Sequence, residues 1–538
     1  AADPEFGTGA LMVCTFGDKD DVQLVQKHGA TVIRAIDTEG LMTDAAGPYK
    51  GLAAPKARER IKDDLRAASL LTGSGTIRQR VGVCWRCQTP VEYIITPQWF
   101  LKIVEHKERF LEIQKKIAWY PEHMRVRLEN WIESLNWDWC ISRQRYFATP
   151  VPVWECSGCG EVVPAEARQC YVEPTVDDPP QADCPKCHGA LTGSSDVFDT
   201  WFDSSITPLV NARWKTNDEL FRKLFPMDLR PQAHDIIRTW VFYTLARSVL
   251  LTGQAPFRDV AISGFILAPD GRPMHTSWGN VVDPLEVVEK LGADPLRYYA
   301  ARCGLGVDTA FDWNSTKHGS DLCVKLWNIS RFVASHIESF EPEEDYTVMD
   351  RWILSELSEL IGGVTAAYDA YGFDKGLRLI EHFAWHRLAD NYLEIVKHRI
   401  YDHNSDTARH VLYRILLSIL KMLSPILPHI TEELYQRIFR EREGTETIHL
   451  TRWPTFEFRD EEATEAAETG LRLISLLRNF KSQHRIGLSA PVASVVVVTP
   501  PDRHVQRVLP EVQGTLRIEK IELEEGEQLS ARFPDESP

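Results

Sequence analysis

The sequence predicts an α/β domain carrying a cysteine-stapled insertion, then an α-helical bundle, then a small α+β tail. Three observations predict this. Between residues 197 and 310, short apolar runs alternate with helical patterns, as successive βα units do. From about residue 320 the apolar residues fall at helical spacing, as in Ile353, Leu354, Leu357, Leu360 and Ile361. Residues 154–196 are rich in Cys, Gly and Pro and hold two Cys-x-x-Cys pairs, the composition of a metal-stapled knob.

Each element follows from its local pattern. Residues 1–80 mix short β-like runs (Leu11–Thr15, Thr31–Ile36) with a charged helical stretch, Pro55–Leu71. Val260–Phe265 reads as a buried strand and Pro284–Ala301 as a helix. Asp350 is placed to cap the first bundle helix, and Leu412–Leu427 and Thr431–Phe439 continue the bundle. Ile448–Pro454 breaks it. The tail holds a helix, Ala463–Gln483, a strand, Ser494–Thr499, and an acidic strand-like end. A chain of 538 residues accommodates three or four domains, here divided 1–80, 81–320 (with 154–196 inserted), 321–455 and 456–538.

No run of 18 apolar residues predicts a membrane span, and Ala1–Gly9 has no basic-then-apolar leader, so a cytoplasmic protein is the simplest expectation. The formal charge of −16 does not attract nucleic acid as a whole. Local basic faces can still meet phosphates.

Six of the 11 cysteines form Cys-x-x-Cys pairs. Cys156/Cys159 and Cys184/Cys187 supply four thiolates, enough to close a tetrahedral Zn²⁺ shell. Such a shell has no open position, so its role is folding. His188 reads as a bystander. Cys84/Cys87 is a lone pair that suits half of a metal site, a redox pair, or no site at all. Cys14, Cys140, Cys170, Cys303 and Cys323 read as small hydrophobes.

The stretch Gly264–Asn280, Gly-Phe-Ile-Leu-Ala-Pro-Asp-Gly-Arg-Pro-Met-His-Thr-Ser-Trp-Gly-Asn, resembles the nucleotide-binding signature loop of class I aminoacyl-tRNA synthetases, Lys-Met-Ser-Lys-Ser-x-Gly-Asn. Met274, Ser277, Gly279 and Asn280 keep their places, while both lysine places are lost, to Pro273 and Thr276. Asn136–Trp154, Asp196–Ser205 and Pro231–Trp240 resemble further segments of class Ia enzymes, and Asp199-Thr-Trp-Phe-Asp-Ser-Ser205 fits the archaeal-type valine branch best.

The resemblance implies the second half of a class I Rossmann catalytic domain with a zinc ribbon, a helical anticodon-binding bundle and a small α+β tail. It implies ATP with Mg²⁺, Zn²⁺, valine and tRNA(Val) as cofactors and partners, and no membrane. The degenerate signature loop, Met274, His275, Thr276 and Ser277, would face the phosphates. Gly279 and Asn280 would shape it. Trp201 and Ile236 would wall the valine pocket, and Asp235 would bind the ATP ribose, with Ala233 where many relatives have glycine. The first 80 residues resemble the end of the editing domain, with Asp18 at the position that holds the ammonium of a misattached threonine ester. A second sieve is needed because an apolar pocket rejects an isosteric hydroxyl amino acid poorly. No His-x-Gly-His motif of the first Rossmann half occurs. The expectation is therefore an N-terminally truncated ligase, incomplete for catalysis as it stands, whose missing half is either supplied by another chain, as in a split synthetase, or simply absent from this sequence. The alternatives are a non-catalytic tRNA-binding paralog and a regulatory one. In the bundle, Arg378, His382, Arg387, Lys397, His398 and Arg399, with Trp385, Tyr392 and Tyr401, would meet RNA; in the tail, Arg472, Arg478, Lys481, His484 and Arg485 would do so.

Overall fold

The structure, a computed structural model, describes residues 5, 19–29, 31–341 and 344–535, apart from 77, 79, 80, 85, 86, 88 and 93. They form two compact units. One comprises the described residues to Leu101 together with Trp139–Asp199, and the other Lys102–Asp138 with the chain from Thr200. Among the described residues no helix is long and apolar enough to cross a membrane.

The first unit is built from short pieces. The helix Ala54–Ala67 realises the charged stretch expected there. The run Thr31–Ile36 forms no strand and makes only an isolated bridge, Ile36 to Met42. Leu11–Thr15, Cys14 and Asp18 lie outside the described residues. The cysteine knob is a three-stranded antiparallel sheet with Val153–Cys156 between Val162–Pro164 and Leu191–Gly193.

The second unit centres on a parallel sheet. Phe257–Ser263 lies between Ala118–Tyr120 and Met227–Ala233, with Val260 opposite both Trp119 and Arg230. Phe257, Val260 and Ile262 are buried. The strand begins earlier than its apolar run and ends before Gly264, where a Cβ would stand 2.0 Å from Val307 O. The helix Phe242–Thr252 connects the two long parallel strands and ends at left-handed Gly253. The helix expected over Pro284–Ala301 is two, Pro284–Leu291 and Ala293–Arg302, broken where Gly292 takes φ +102°.

The bundle and tail share one core. In the bundle helix Val348–Asp369 the cap is Thr347, three residues earlier than the Asp350 expected, and Asp350 closes the capping box from within. Asp406–Leu423 and Pro428–Ile438 follow. In the tail, Val492–Thr499 pairs parallel with Ile518–Glu525 through the helix Val505–Leu516 and antiparallel with Ser530–Arg532.

Candidate functional site

In the second unit the candidate residues gather beyond the carboxyl ends of the parallel strands, where open α/β sheets bind ligands. Met227–Ala233 runs directly into the turn His234–Ile236, so Asp235 is exposed and Ile236 half-buried. Phe257–Ser263 leads through Ile266–Leu267 to the signature-like loop. One carboxylate joins the two. Asp308 Oδ1 accepts from Phe265 N at 2.8 Å and stands 2.7 Å from His234 Nε2. The Phe265 N–H, with His234 beside it, holds the Asp308 carboxyl below its ordinary range.

The loop is tied across its base by Asn280. Its Oδ1 accepts from His275 N (2.8 Å) and its Nδ2 donates to Pro273 O (3.0 Å). Gly279 takes the left-handed conformation, φ +66°. Met274 packs against the apolar cluster of Val287, Tyr299 and Phe311, so it anchors the loop. Thr276 and Ser277 are exposed. Ser277 N and Oγ lie 3.3 and 2.7 Å from His275 Nδ1, and the imidazole caps the turn Thr276–Trp278 as an acceptor. Arg272, the only Lys or Arg from 268 to 280, is bound to Asp270 through both Nε (2.8 Å) and Nη2 (2.6 Å). The loop therefore offers a polar backbone cradle without an uncommitted permanent cation.

Trp201 is half-buried on the short helix Thr200–Ser204. That helix is fastened from behind. Arg247 Nη1 donates to Phe202 O (2.5 Å) and Trp240 Nε1 to Ser204 O (3.3 Å). Trp240 follows the turn that bears Ile236, so Trp201 and Ile236 share one scaffold. Arg230 stacks on Trp240 at 3.8 Å and is only 6 % exposed. Burial pulls the guanidiniums of Arg230 and Arg247 down to about 10. None of His234, Asp308, Arg230 and Arg247 was marked by the sequence, because each acts through a contact distant along the chain.

In the first unit the four expected cysteines converge. Their sulfurs all lie within 4.8 Å of one another, with Cys156 to Cys187 at 3.4 Å and Cys159 to Cys184 at 3.7 Å. Zn–S bonds of about 2.3 Å in a tetrahedron require S···S edges of about 3.8 Å, so the donor set fits. Backbone N–H groups of Gly158 and Lys186 point at Cys156 and Cys184 Sγ. The Gly158 N–H holds the Cys156 thiol down to about 6. Gly189 leaves the cluster room, since a Cβ there would stand in tight contact, 3.1 Å, with Cys156 Sγ. His188 is not among the clustered donors.

Cys84 makes the same backbone hydrogen bond as the first cysteine of each knob pair. Cys156 N donates to Glu161 O and Cys184 N to Gly189 O, each five residues on, and Cys84 N donates to Thr89 O at 2.8 Å. Thr89, hydroxyl first, holds the Cys87 thiol down to about 7.

Four of the expected RNA contacts are instead structural. Arg399 is buried on Asp350 (2.8 Å), which also accepts from Tyr392 OH, itself fully buried. Lys481 donates to Leu488 O, Ala490 O and Leu516 O and ties the tail together. His398 is largely buried against Glu511. Arg378 and Lys397 remain accessible but pair with Asp374 and Glu394. Tyr401 is exposed.

Comparison with known proteins agrees with this layout. The family described as tRNA synthetases class I (I, L, M and V) matches residues 17–312, and the anticodon-binding domain of tRNA ligase matches 350–497. A valine–tRNA ligase of Methanothermobacter thermautotrophicus is 43% identical over 532 residues, covering 97% of this chain and 60% of that protein. The valine–tRNA ligase of Archaeoglobus fulgidus is 44% identical over 510 residues, 93% of this chain and 58% of its own length. The chain thus spans about three-fifths of these relatives. Among solved structures, a methionyl-tRNA synthetase of Mycobacterium tuberculosis in complex with methionyl-adenylate shares the fold, with a TM-score of 0.50 and 20% identity over 65% of each chain.

Proposed function

Because the chain belongs to the class I tRNA synthetases of the isoleucine, leucine, methionine and valine group, we propose that it is the amino-acid-activating part of a valine–tRNA ligase. The observation that carries this reading is that Trp240 ties the Trp201 helix, and Asp308 the root of the Asn280-tied loop, to the Asp235–Ile236 turn at the end of Met227–Ala233. The family reaction activates valine with MgATP to valyl-adenylate and transfers it to the 3′ end of tRNA(Val). In this chain Trp201 and Ile236 wall the side-chain pocket, and Asp235 accepts from the ribose hydroxyls. Met274, Gly279 and Asn280 hold the loop so that its backbone and the His275, Thr276 and Ser277 side chains face the phosphates.

The two absent lysine charges set the rate. Developing charge on departing pyrophosphate is best stabilised by fixed cations. Each ammonium contributes about 1 to 4 kcal/mol at contact distance, depending on solvent access. Losing two slows adenylate formation by roughly 10³-fold or more. His275 compensates weakly, since its Nδ1 is engaged with Ser277.

Cys156, Cys159, Cys184 and Cys187 hold Zn²⁺ as a closed structural shell, and Cys84/Cys87 is half of a second such site. The first 80 residues belong to an editing domain with Asp18 as its ammonium-binding carboxylate, the bundle (321–455) to anticodon binding, and 456–538 to a tail domain.

The test is calorimetric titration with a non-hydrolysable valyl-adenylate analogue. Binding that is lost in Trp201→Ala and Asp235→Asn supports the assignment. Equal affinity for leucyl and valyl analogues, or indifference to both substitutions, refutes it.

A further inference from the structure

Among the described residues the two most exposed large aromatic side chains are consecutive in the chain. Tyr146 is fully exposed and Phe147 is 90 % exposed. They lie on the bend 144–148 of the first unit, and the base of that bend is fixed on both sides. Arg143 pairs with Val197 in a short antiparallel ladder, Pro150 bridges the same Val197, and Phe198 N donates to Thr149 O at 2.7 Å. Gln144 Nε2 donates to Asp196 Oδ1 at 3.0 Å, which pins the first residue of the bend. Asp199, the nearby buried carboxylate, accepts from Arg143 Nη2 and Trp139 Nε1. Arg145, the residue before them, is an exposed cation. Among the described residues, none makes a hydrogen bond, an ion pair or a ring contact with Arg145, Tyr146 or Phe147.

We infer that Arg145, Tyr146 and Phe147 form a stacking platform for an unpaired RNA strand. Every base has a π-face, so adjacent exposed rings take successive bases regardless of sequence, and a neighbouring guanidinium meets the linking phosphate. A greasy protein partner would leave Arg145 unmatched. A bend anchored at both ends loses little freedom on binding. The inference deepens the ligase reading by naming where the unpaired part of its tRNA rests, and it stands on that reading only for the identity of the RNA.

The test is fluorescence anisotropy of the whole chain with a labelled single-stranded RNA of about six nucleotides at low salt. Tyr146→Ala and Phe147→Ala each weaken binding on the order of tenfold, with the salt dependence unchanged. Arg145→Gln lowers the slope of log K against log salt by about 0.7. Wild-type chain that ignores the oligonucleotide, or a double ring variant that binds it as wild type does, overturns the inference. Full displacement by millimolar AMP also overturns it, because that marks a free-nucleotide site. Intact tRNA(Val) is the separate arm. Failure of the wild type to bind tRNA while it binds the short strand sinks the ligase reading and leaves the platform standing. Because all three side chains point into water, the variants keep the fold.

Discussion

Replacing Glu511 by glutamine should stabilise the docked tail, and increasingly so as pH rises. Glu511 lies on the helix Val505–Leu516 and faces a buried cluster from three bundle segments. Asp350 already matches Arg399 at 2.8 Å, with Tyr392 OH donating to the same Asp350 oxygen. Glu511 Oε1 reaches Arg399 only at 3.8 Å, and Oε2 is buried without a hydrogen-bond donor among the described residues. His398 Nε2 lies 3.5 Å from that oxygen, while its Nδ1 donates to Ile395 O at 2.9 Å. A neutral His398 thus presents a lone pair to a carboxylate, and a proton on Glu511 relieves the conflict. Burial raises the Glu511 carboxyl. The folded state therefore holds a proton that the unfolded chain releases, and stability falls as pH climbs from about 4.3 through the folded value. The His398 imidazole is lowered by burial, so its contribution is lost as pH falls below about 6.5. The glutamine of the variant is matched by a neutral His398, so that titration also widens the difference toward high pH. A glutamine donates to Nε2 and removes an unsatisfied buried acceptor, worth about 1–3 kcal/mol. Urea unfolding followed by tryptophan fluorescence at pH 5, 6, 7 and 8 should show a gain for Glu511→Gln that widens toward pH 8. Equal destabilisation at every pH would show an ionised, fully paired Glu511 and refute the reasoning.

Other outcomes follow from the same contacts. The purified chain should carry one zinc per molecule, lost in Cys184→Ser and retained in Cys84→Ser, as read by metal analysis. Lys481→Met should cost about 1–3 kcal/mol by leaving one buried and two partly buried carbonyls without their donor, without weakening tRNA binding at temperatures where the chain is folded. Asp308→Asn should weaken binding of the adenylate analogue and spare binding of valine alone, since Asp308 supports the His234–Ile236 turn; equal losses for both ligands would contradict that role.

The parts legible in the sequence were those with a local signature. Cys-x-x-Cys spacing marked the knob because two thiolates on one turn need those intervals. Helical periodicity marked Val348–Asp369, but the cap was misplaced because Thr347 and Asp350 both suit the role, and only the reciprocal hydrogen bonds tell them apart. Ala118–Tyr120 was not legible as a strand, since three residues carry no period and its pairing to Phe257–Ser263 is remote. Charge alone misled at Arg399 and Lys481. A basic residue on a helix looks the same in sequence whether it faces phosphate or a buried carboxylate. The signature-like loop was legible through Met274, Gly279 and Asn280, whereas Asp308, which ties that loop's root to the Asp235 turn, lies some thirty residues beyond it and has no motif.

The most direct test is the rate at which the purified chain, alone, charges tRNA(Val) with valine. A site that shapes valine and adenosine but lacks two ammonium groups should bind the adenylate analogue and yet turn over at least roughly 10³-fold below the ~10 s⁻¹ usual for enzymes. Pro273→Lys with Thr276→Lys should recover part of that rate in the same assay. Charging at ordinary speed by the unaided chain would contradict the account.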